Sequence, residues 1–179
     1  MDKEIDNDAI YNKLKTLGLE LPKQLQIPLD VKTPPTWIRI RDDKAYVSGH
    51  GPQNQDGSIA GPFGKVVAAG SSNTNSSPKE LSIEQAYQSA KLAGLSILSS
   101  LKRELGSLDR VTAWLEARVM VNTVSGFTQT TFVANGFSDL IISLYGYERG
   151  LHARSAIGVQ ALPLDLPVII EALVEIQKV

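Results

Sequence analysis

Arg154 opens a stretch in which strict alternation places Ala156, Gly158 and Gln160 on its own side. Small residues beside a long cation leave room at the guanidinium, and a planar two-pronged donor with room beside it suits a carboxylate ligand. An arginine paired with an internal acid fits the same spacing, so both roles stay open. Glu171 lies between Ile169 and Leu173 on one side of an apolar run, with Ile170 and Ala172 on the other. A carboxylate buried there is costly unless paired or protonated; burial would raise its pKa, which suits a general acid. A rim position at a strand bend is the alternative. The two carrying segments are neighbours in sequence, so Arg154 and Glu171 could converge on one cleft as carboxylate clamp and proton donor.

Other residues offer less. His50 follows Ser48-Gly49, where a loop could present backbone N–H groups, and His152 stands just before Arg154. Two separated histidines without clustered acids make a poor metal site, and none is expected. Gly61-Pro62-Phe63-Gly64-Lys65 has the wrong glycine spacing for a phosphate loop, and Val66 stands where Ser or Thr would hold magnesium. No nucleophile elbow or dinucleotide fingerprint is present. Asn135, early in a helical stretch, reads as a cap or surface residue.

The elements that must position these residues are legible from periodicity. Ile10, Leu14, Leu17 and Leu19 suggest a helix over 6–19 that Gly18 stops. Prolines 22, 28, 34 and 35 then hold an extended connection. Trp37 to Arg41 and Lys44 to Ser48 flank Asp42-Asp43 as a hairpin. The Gly/Ser/Asn/Thr-rich tract at about 68–80 reads as a flexible insertion. Ser82 and Gln85 form a capping box for a helix whose apolar face is Tyr87, Ala90, Gly94, Leu98 and Leu101, with Gly106 past its end. Val111, Ala113, Leu115, Ala117, Val119 and Val121 alternate with Thr112, Trp114, Glu116, Arg118 and Met120 as a strand. A second helix spans about Thr130 to Tyr145, and strands Arg154 to Ala161 and Val168 to Ile176 close the chain.

The order β-β-α-β-α-β-β after an N-terminal helix predicts an α+β sheet with both helices on one face. Residues 1–33 form the helix and linker, and 34–179 a single domain. Trp114, Met120, Ile169 and Leu173 would line the uncovered face, and such a face predicts self-association into a closed homo-oligomer.

Composition bounds the function. The 179 residues suit one domain, and 18 basic against 19 acidic residues leave a charge of −1 with no basic footprint for nucleic acid. The absence of cysteine excludes disulfides, thiolate-held zinc, iron–sulfur clusters and a thiol nucleophile. The polar start, Met1 to Ile10, is no secretory signal, and no apolar run approaches the ~20 residues of a membrane span, so a cytoplasmic protein without a membrane partner is expected.

Three stretches resemble the Rid (YjgF-like) family, whose best-known members are enamine/imine deaminases and to which an endoribonuclease label is often attached. They are Tyr46-Val47-Ser48-Gly49, Gly106-Ser107-Leu108-Asp109-Arg110-Val111 and His152-Ala153-Arg154-Ser155-Ala156-Ile157-Gly158-Val159. The last continues through Leu162-Pro163 into Glu171-Ala172. The resemblance covers Pro34 to Ile176. The N-terminal helix, the 133–140 stretch and Leu162-Pro163-Leu164 look like the family's chorismate-mutase-like branch, a name for a shape and not an activity.

The resemblance implies a chorismate-mutase-like fold and a homotrimer with sheets packed inward and clefts between subunits. It makes Arg154 the clamp on a substrate carboxylate and Glu171 the residue that holds or activates water. Gly49 would add a backbone contact, Asn135 a side chain, and Ala156 a pocket wall where the deaminases usually carry cysteine. Thr36-Trp37-Ile38 stands where they usually carry a tyrosine. The implied activity is hydrolysis of small 2-imino or enamine carboxylic acids to 2-oxo acids and ammonia, without metal or organic cofactor. A non-catalytic binder of a small carboxylate metabolite, or a trimeric scaffold, keeps Arg154 and needs no proton donor. The charge of −1 speaks against ribonuclease action.

Overall fold

The computed structural model describes residues 8–26, 34–68 and 80–178. The expected linker prolines Pro22 and Pro34 fall within these ranges, while Pro28 and most of the 68–80 insertion lie outside them. Helix α1 (Ala9–Thr16) is followed by the hairpin β1 (Ile38–Arg41) and β2 (Lys44–His50). The short strands β3 (Lys65–Val66) and β4 (Glu80–Leu81) pair in parallel across the insertion and join its two ends. Then come α2 (Ile83–Leu105), β5 (Val111–Asn122), α3 (Thr130–Gly150), β6 (Ala153–Val159) and β7 (Val168–Ile176). The main sheet has the order β1-β2-β7-β5-β6, with β5 and β6 parallel across the α3 crossover and the remaining pairs antiparallel. This is the α+β order read from periodicity, with both long helices on one face.

Local chemistry explains the boundaries. The β1–β2 turn places Asp42 at φ +54°, a conformation that aspartate tolerates better than most residues. At the start of α2, Gln85 N–H donates to Ser82 Oγ (3.1 Å) while Ser82 N–H donates to Gln85 Oε1 (2.9 Å). Gly106 ends the helix at φ +79°, its N–H on Lys102 O at 2.9 Å. The N-terminal helix is shorter than the 6–19 reading because Asp8 caps it, accepting from Tyr11 N–H at 2.8 Å. Asp109 receives the N–H groups of Ala9 and Ile10 at 2.6 and 3.0 Å, which ties α1 to the turn before β5. Helix α3 breaks at Gly146 (φ +71°, ψ 179°), directly after the expected end at Tyr145, and a further helical turn runs on to Gly150. Strand β6 ends at Val159, before the expected Ala161.

The two long helices approach through glycine. A Cβ on Gly136 would stand 2.0 Å from Tyr87 O, and one on Gly94 would meet Leu140 at 2.9 Å and Phe137 at 3.1 Å. Between helices and sheet lies one core containing Leu98, Leu101, Phe137, Ile141, Val119 and Ile170.

One face assignment is overturned. Trp114 is 1% exposed and sits in the core, edge-on to Phe137 (5.6 Å) and Tyr145 (5.8 Å). The β5–β7 register shifts twice, between Val111 and Ala113 and between Trp114 and Glu116. The first bulge inserts a residue and turns Trp114 inward; the second restores the parity, so that Ala117, Val119 and Val121 again face the helices. Ala113 and Leu115, expected inside, are half-exposed. Met120, Ile169 and Leu173 do lie half-buried on the face the helices leave open, joined by the exposed Tyr46 and Ile157.

Candidate functional site: two half-sites on opposite faces of one sheet

Register decides where the chemistry falls. Ala117 is buried on the helix side and pairs with both Arg154 on β6 and Ala172 on β7. Arg118, one residue on, pairs with Glu171 on the open side. Arg154 and Glu171 therefore lie on opposite faces, with β5 between their strands, and a cleft containing both cannot form within one subunit. Adjacent segments do not imply adjacent side chains once the alternation is counted.

The first half-site is at the β6 edge. Arg154 Nη1 donates to Asn135 Oδ1 (3.0 Å) and to Ser138 Oγ (2.9 Å), both on α3. Burial draws the guanidinium below its ordinary pKa, and the nearby Asp139 acts in the opposite direction. That carboxylate is engaged by the Tyr87 hydroxyl at 2.9 Å. No ion pair to Arg154 forms among the described residues. The internal-acid reading is thus replaced by support from two neutral oxygens. Behind them, His152 Nδ1–H donates to Gly150 O at 2.7 Å, so Nε2 accepts the Ser138 hydroxyl at 2.9 Å. Burial lowers the His152 pKa, which keeps the ring in that accepting form. Ala156 lies one alternation beyond Arg154, half-buried against the core, its carbonyl accepting from Thr130 Oγ1 at 2.9 Å.

The second half-site is on the open face. Glu171 is 42% exposed and its Oε2 is 3.3 Å from Arg118 Nη1, in a depression of about 220 Å³ that Tyr46 and Leu173 also line. The burial expected of Glu171 from its apolar neighbours is not found within the subunit, because those neighbours share an uncovered face. Gly49 stands beside it at the irregularity in β2, where a Cβ would be 2.8 Å from Ile169 Cγ2 and 4.0 Å from Glu171 Cγ. Only a residue without a side chain lets the two strands approach this closely.

The structure thus brings Arg154, Asn135 and Ala156 together at one place and Gly49 and Glu171 at another. Sequence reasoning missed Ser138 and Arg118. Ser138 could have been found, since it is one helical turn from Asn135; the Arg118–Glu171 pairing depends on a register that alternation alone does not give. His50 is a core residue, 4% exposed. Lys65 is held by Asn122, Thr123 and Gln160 oxygens and is no phosphate ligand. Among the described residues no cluster of three His, Asp or Glu side chains could hold a metal, and no helix is long and apolar enough to cross a membrane.

No family model matches the chain. Protein TCP17 of Trypanosoma cruzi is 36% identical over 134 residues, which cover 74% of this chain and 75% of that protein. The solved structure of Atu1372 from Agrobacterium tumefaciens, of unknown function, superposes with a TM-score of 0.74 at 29% identity over 94% of both chains. RidA from the Antarctic bacterium Psychrobacter superposes with a TM-score of 0.51 at 18% identity, over 86% of this chain and 99% of that one. The chain belongs to one family with TCP17 and has the Rid (YjgF-like) fold. In this Rid-fold chain Arg154 and Glu171, the two residues singled out from the sequence, lie on the two faces just described.

Proposed function

We propose that the chain assembles as a closed homotrimer with its open sheet faces inward, and that each cleft between subunits hydrolyses a small 2-imino or enamine carboxylic acid. One subunit contributes Arg154 with Asn135 and Ala156, and its neighbour contributes Glu171 with Gly49. The observation that carries this reading is the Arg154 guanidinium, aligned at an open sheet edge by neutral oxygens and lacking a carboxylate partner among the described residues. A substrate carboxylate supplies that partner. The apolar open face gives the reason for assembly, and assembly would shield Glu171 and its one reacting water from bulk solvent.

In the reaction, water adds to the protonated imine carbon and its proton passes to the Glu171 carboxylate. Glu171 returns that proton to the nitrogen, and as the C–N bond breaks the remaining hydroxyl proton passes to the emptied carboxylate, leaving a 2-oxo acid and ammonia. An enamine first takes a proton on carbon to become the imine. Holding substrate and water in this geometry would supply most of the rate.

Freshly generated imino acids with small, branched and aromatic side chains test the proposal, with release of ammonia and 2-oxo acid followed beside light scattering of the same sample. Acceleration by a particle of three chains is the expected outcome. A monomer at micromolar concentration, or no acceleration with any imino acid, would contradict it, and the second result would favour the non-catalytic carboxylate binder.

A further inference from the structure

Arg154 has an acid of its own chain beside it that it does not bind. Asp139 stands one helical turn after Asn135 and directly after Ser138, the two α3 residues whose oxygens hold Arg154 Nη1. It is exposed, and while burial lowers the Arg154 pKa, the Asp139 charge is the influence that opposes it. Arg154 Nη2 and Nε donate to nothing among the described residues, so the guanidinium keeps donors for a carboxylate. An aspartate at this position is a competitor for them.

The helix places that aspartate between two partners. Gly136 packs against the backbone of Tyr87 on α2, and Ser138 faces Arg154 on β6. With about 3.6 residues per turn, residues 136 and 138 point to opposite sides of α3, and residue 139 falls on the outer ridge between them. Asp139 has gone to the α2 side, where its Oδ2 accepts the Tyr87 hydroxyl at 2.9 Å. Burial raises the Tyr87 pKa and the Asp139 hydrogen bond adds to it, so the phenol remains a donor at neutral pH. An ion pair at an exposed aspartate is weak, and a phenol hydrogen bond to a carboxylate is charge-assisted, so one hydroxyl suffices to tip the balance.

We propose that Tyr87 is a positioning residue that keeps Arg154 open to substrate by holding the competing Asp139 carboxylate on the far side of α3. The inference rests on Arg154 as the substrate clamp. Neither Tyr87 nor Asp139 touches the reacting atoms. Without the hydroxyl, the Asp139 side chain turns toward the guanidinium and takes the donors a substrate carboxylate needs.

Steady-state kinetics with imino acids and crystal structures of the full-chain variants test this. Tyr87→Phe removes the hydroxyl and keeps the ring. It is expected to raise KM about fivefold, with kcat within about twofold of wild type and an Asp139–Arg154 ion pair in the crystal. Asp139→Asn should then lower KM by a larger factor in Tyr87→Phe than in the wild-type chain, which returns the double variant to wild-type KM or below. An unchanged KM in Tyr87→Phe, or equal factors in the two backgrounds, would overturn the proposal, since the hydroxyl would then act independently of Asp139. If the wild-type chain turns over no imino acid, the proposed reaction fails and the crystal structures decide this inference alone. An Asp139–Arg154 pair present in Tyr87→Phe and absent from wild type would uphold it; an Asp139 that stays away from Arg154 would overturn it.

Discussion

Replacing Arg154 with alanine is expected to lower kcat/KM for imino-acid hydrolysis by about a hundredfold or more, with little change in Tm. A charge-assisted hydrogen bond contributes about 1.5–3 kcal/mol, and a guanidinium can offer a carboxylate two in parallel. The fold should tolerate the loss because the side chain is only partly buried at the edge strand, where water can reach the oxygens of Asn135 and Ser138. Glu171→Gln should separate binding from chemistry: kcat falls by about 10²–10⁴-fold, the usual contribution of a positioned acid–base group, while KM changes little. Steady-state kinetics on both variants checks this. Wild-type rates in Arg154→Ala would remove the clamp, and undiminished turnover in Glu171→Gln would remove the proton carrier.

Trp114→Ala should cost about 3–5 kcal/mol of stability, the range for deleting a large aromatic side chain from a core. The indole is 1% exposed and makes edge contacts with Phe137 and Tyr145. Its N–H is buried without a partner, so Trp114→Phe, which removes that donor and keeps most of the apolar surface, should cost much less. Urea unfolding of the two variants gives the comparison. Were Trp114 on the open face, as unbroken alternation would have it, alanine there would weaken subunit association and leave chain stability nearly intact.

Trp114 also shows where the sequence stops being legible. Strand alternation identified β5 and its ends, yet two bulges that cancel in parity leave no trace in the pattern outside residues 112–116. Only packing reveals them: an indole cannot rest on an open face when a core beside it has room for it. The capping box of α2 was readable because both partners sit within one helical turn, and the break after Tyr145 in α3 was readable because Gly146 leaves helical geometry there; the short turn that follows to Gly150 was not.

The candidate site divided along the same line. Arg154 and Asn135 come together because β6 follows α3 and packs beside it, which chain order already suggests. Arg154 and Glu171 were expected together from sequence proximity, but β7 pairs with β5 on the side away from β6. Once the buried Ala117 is fixed as facing the helices, the face of every residue paired near it follows. Strand order and register are long-range properties, set by which apolar faces meet, and no local spacing encodes them.

The most direct test of a site shared between subunits is a hybrid of Arg154→Ala and Glu171→Gln chains, each inactive alone, unfolded and refolded together in equal amounts. Each cleft in a randomly mixed trimer would draw its arginine from one chain and its glutamate from the next, and about one quarter of the wild-type rate should return. No recovery in hybrids shown to be mixed would mean that the two residues do not act across an interface, and the shared cleft would have to be abandoned.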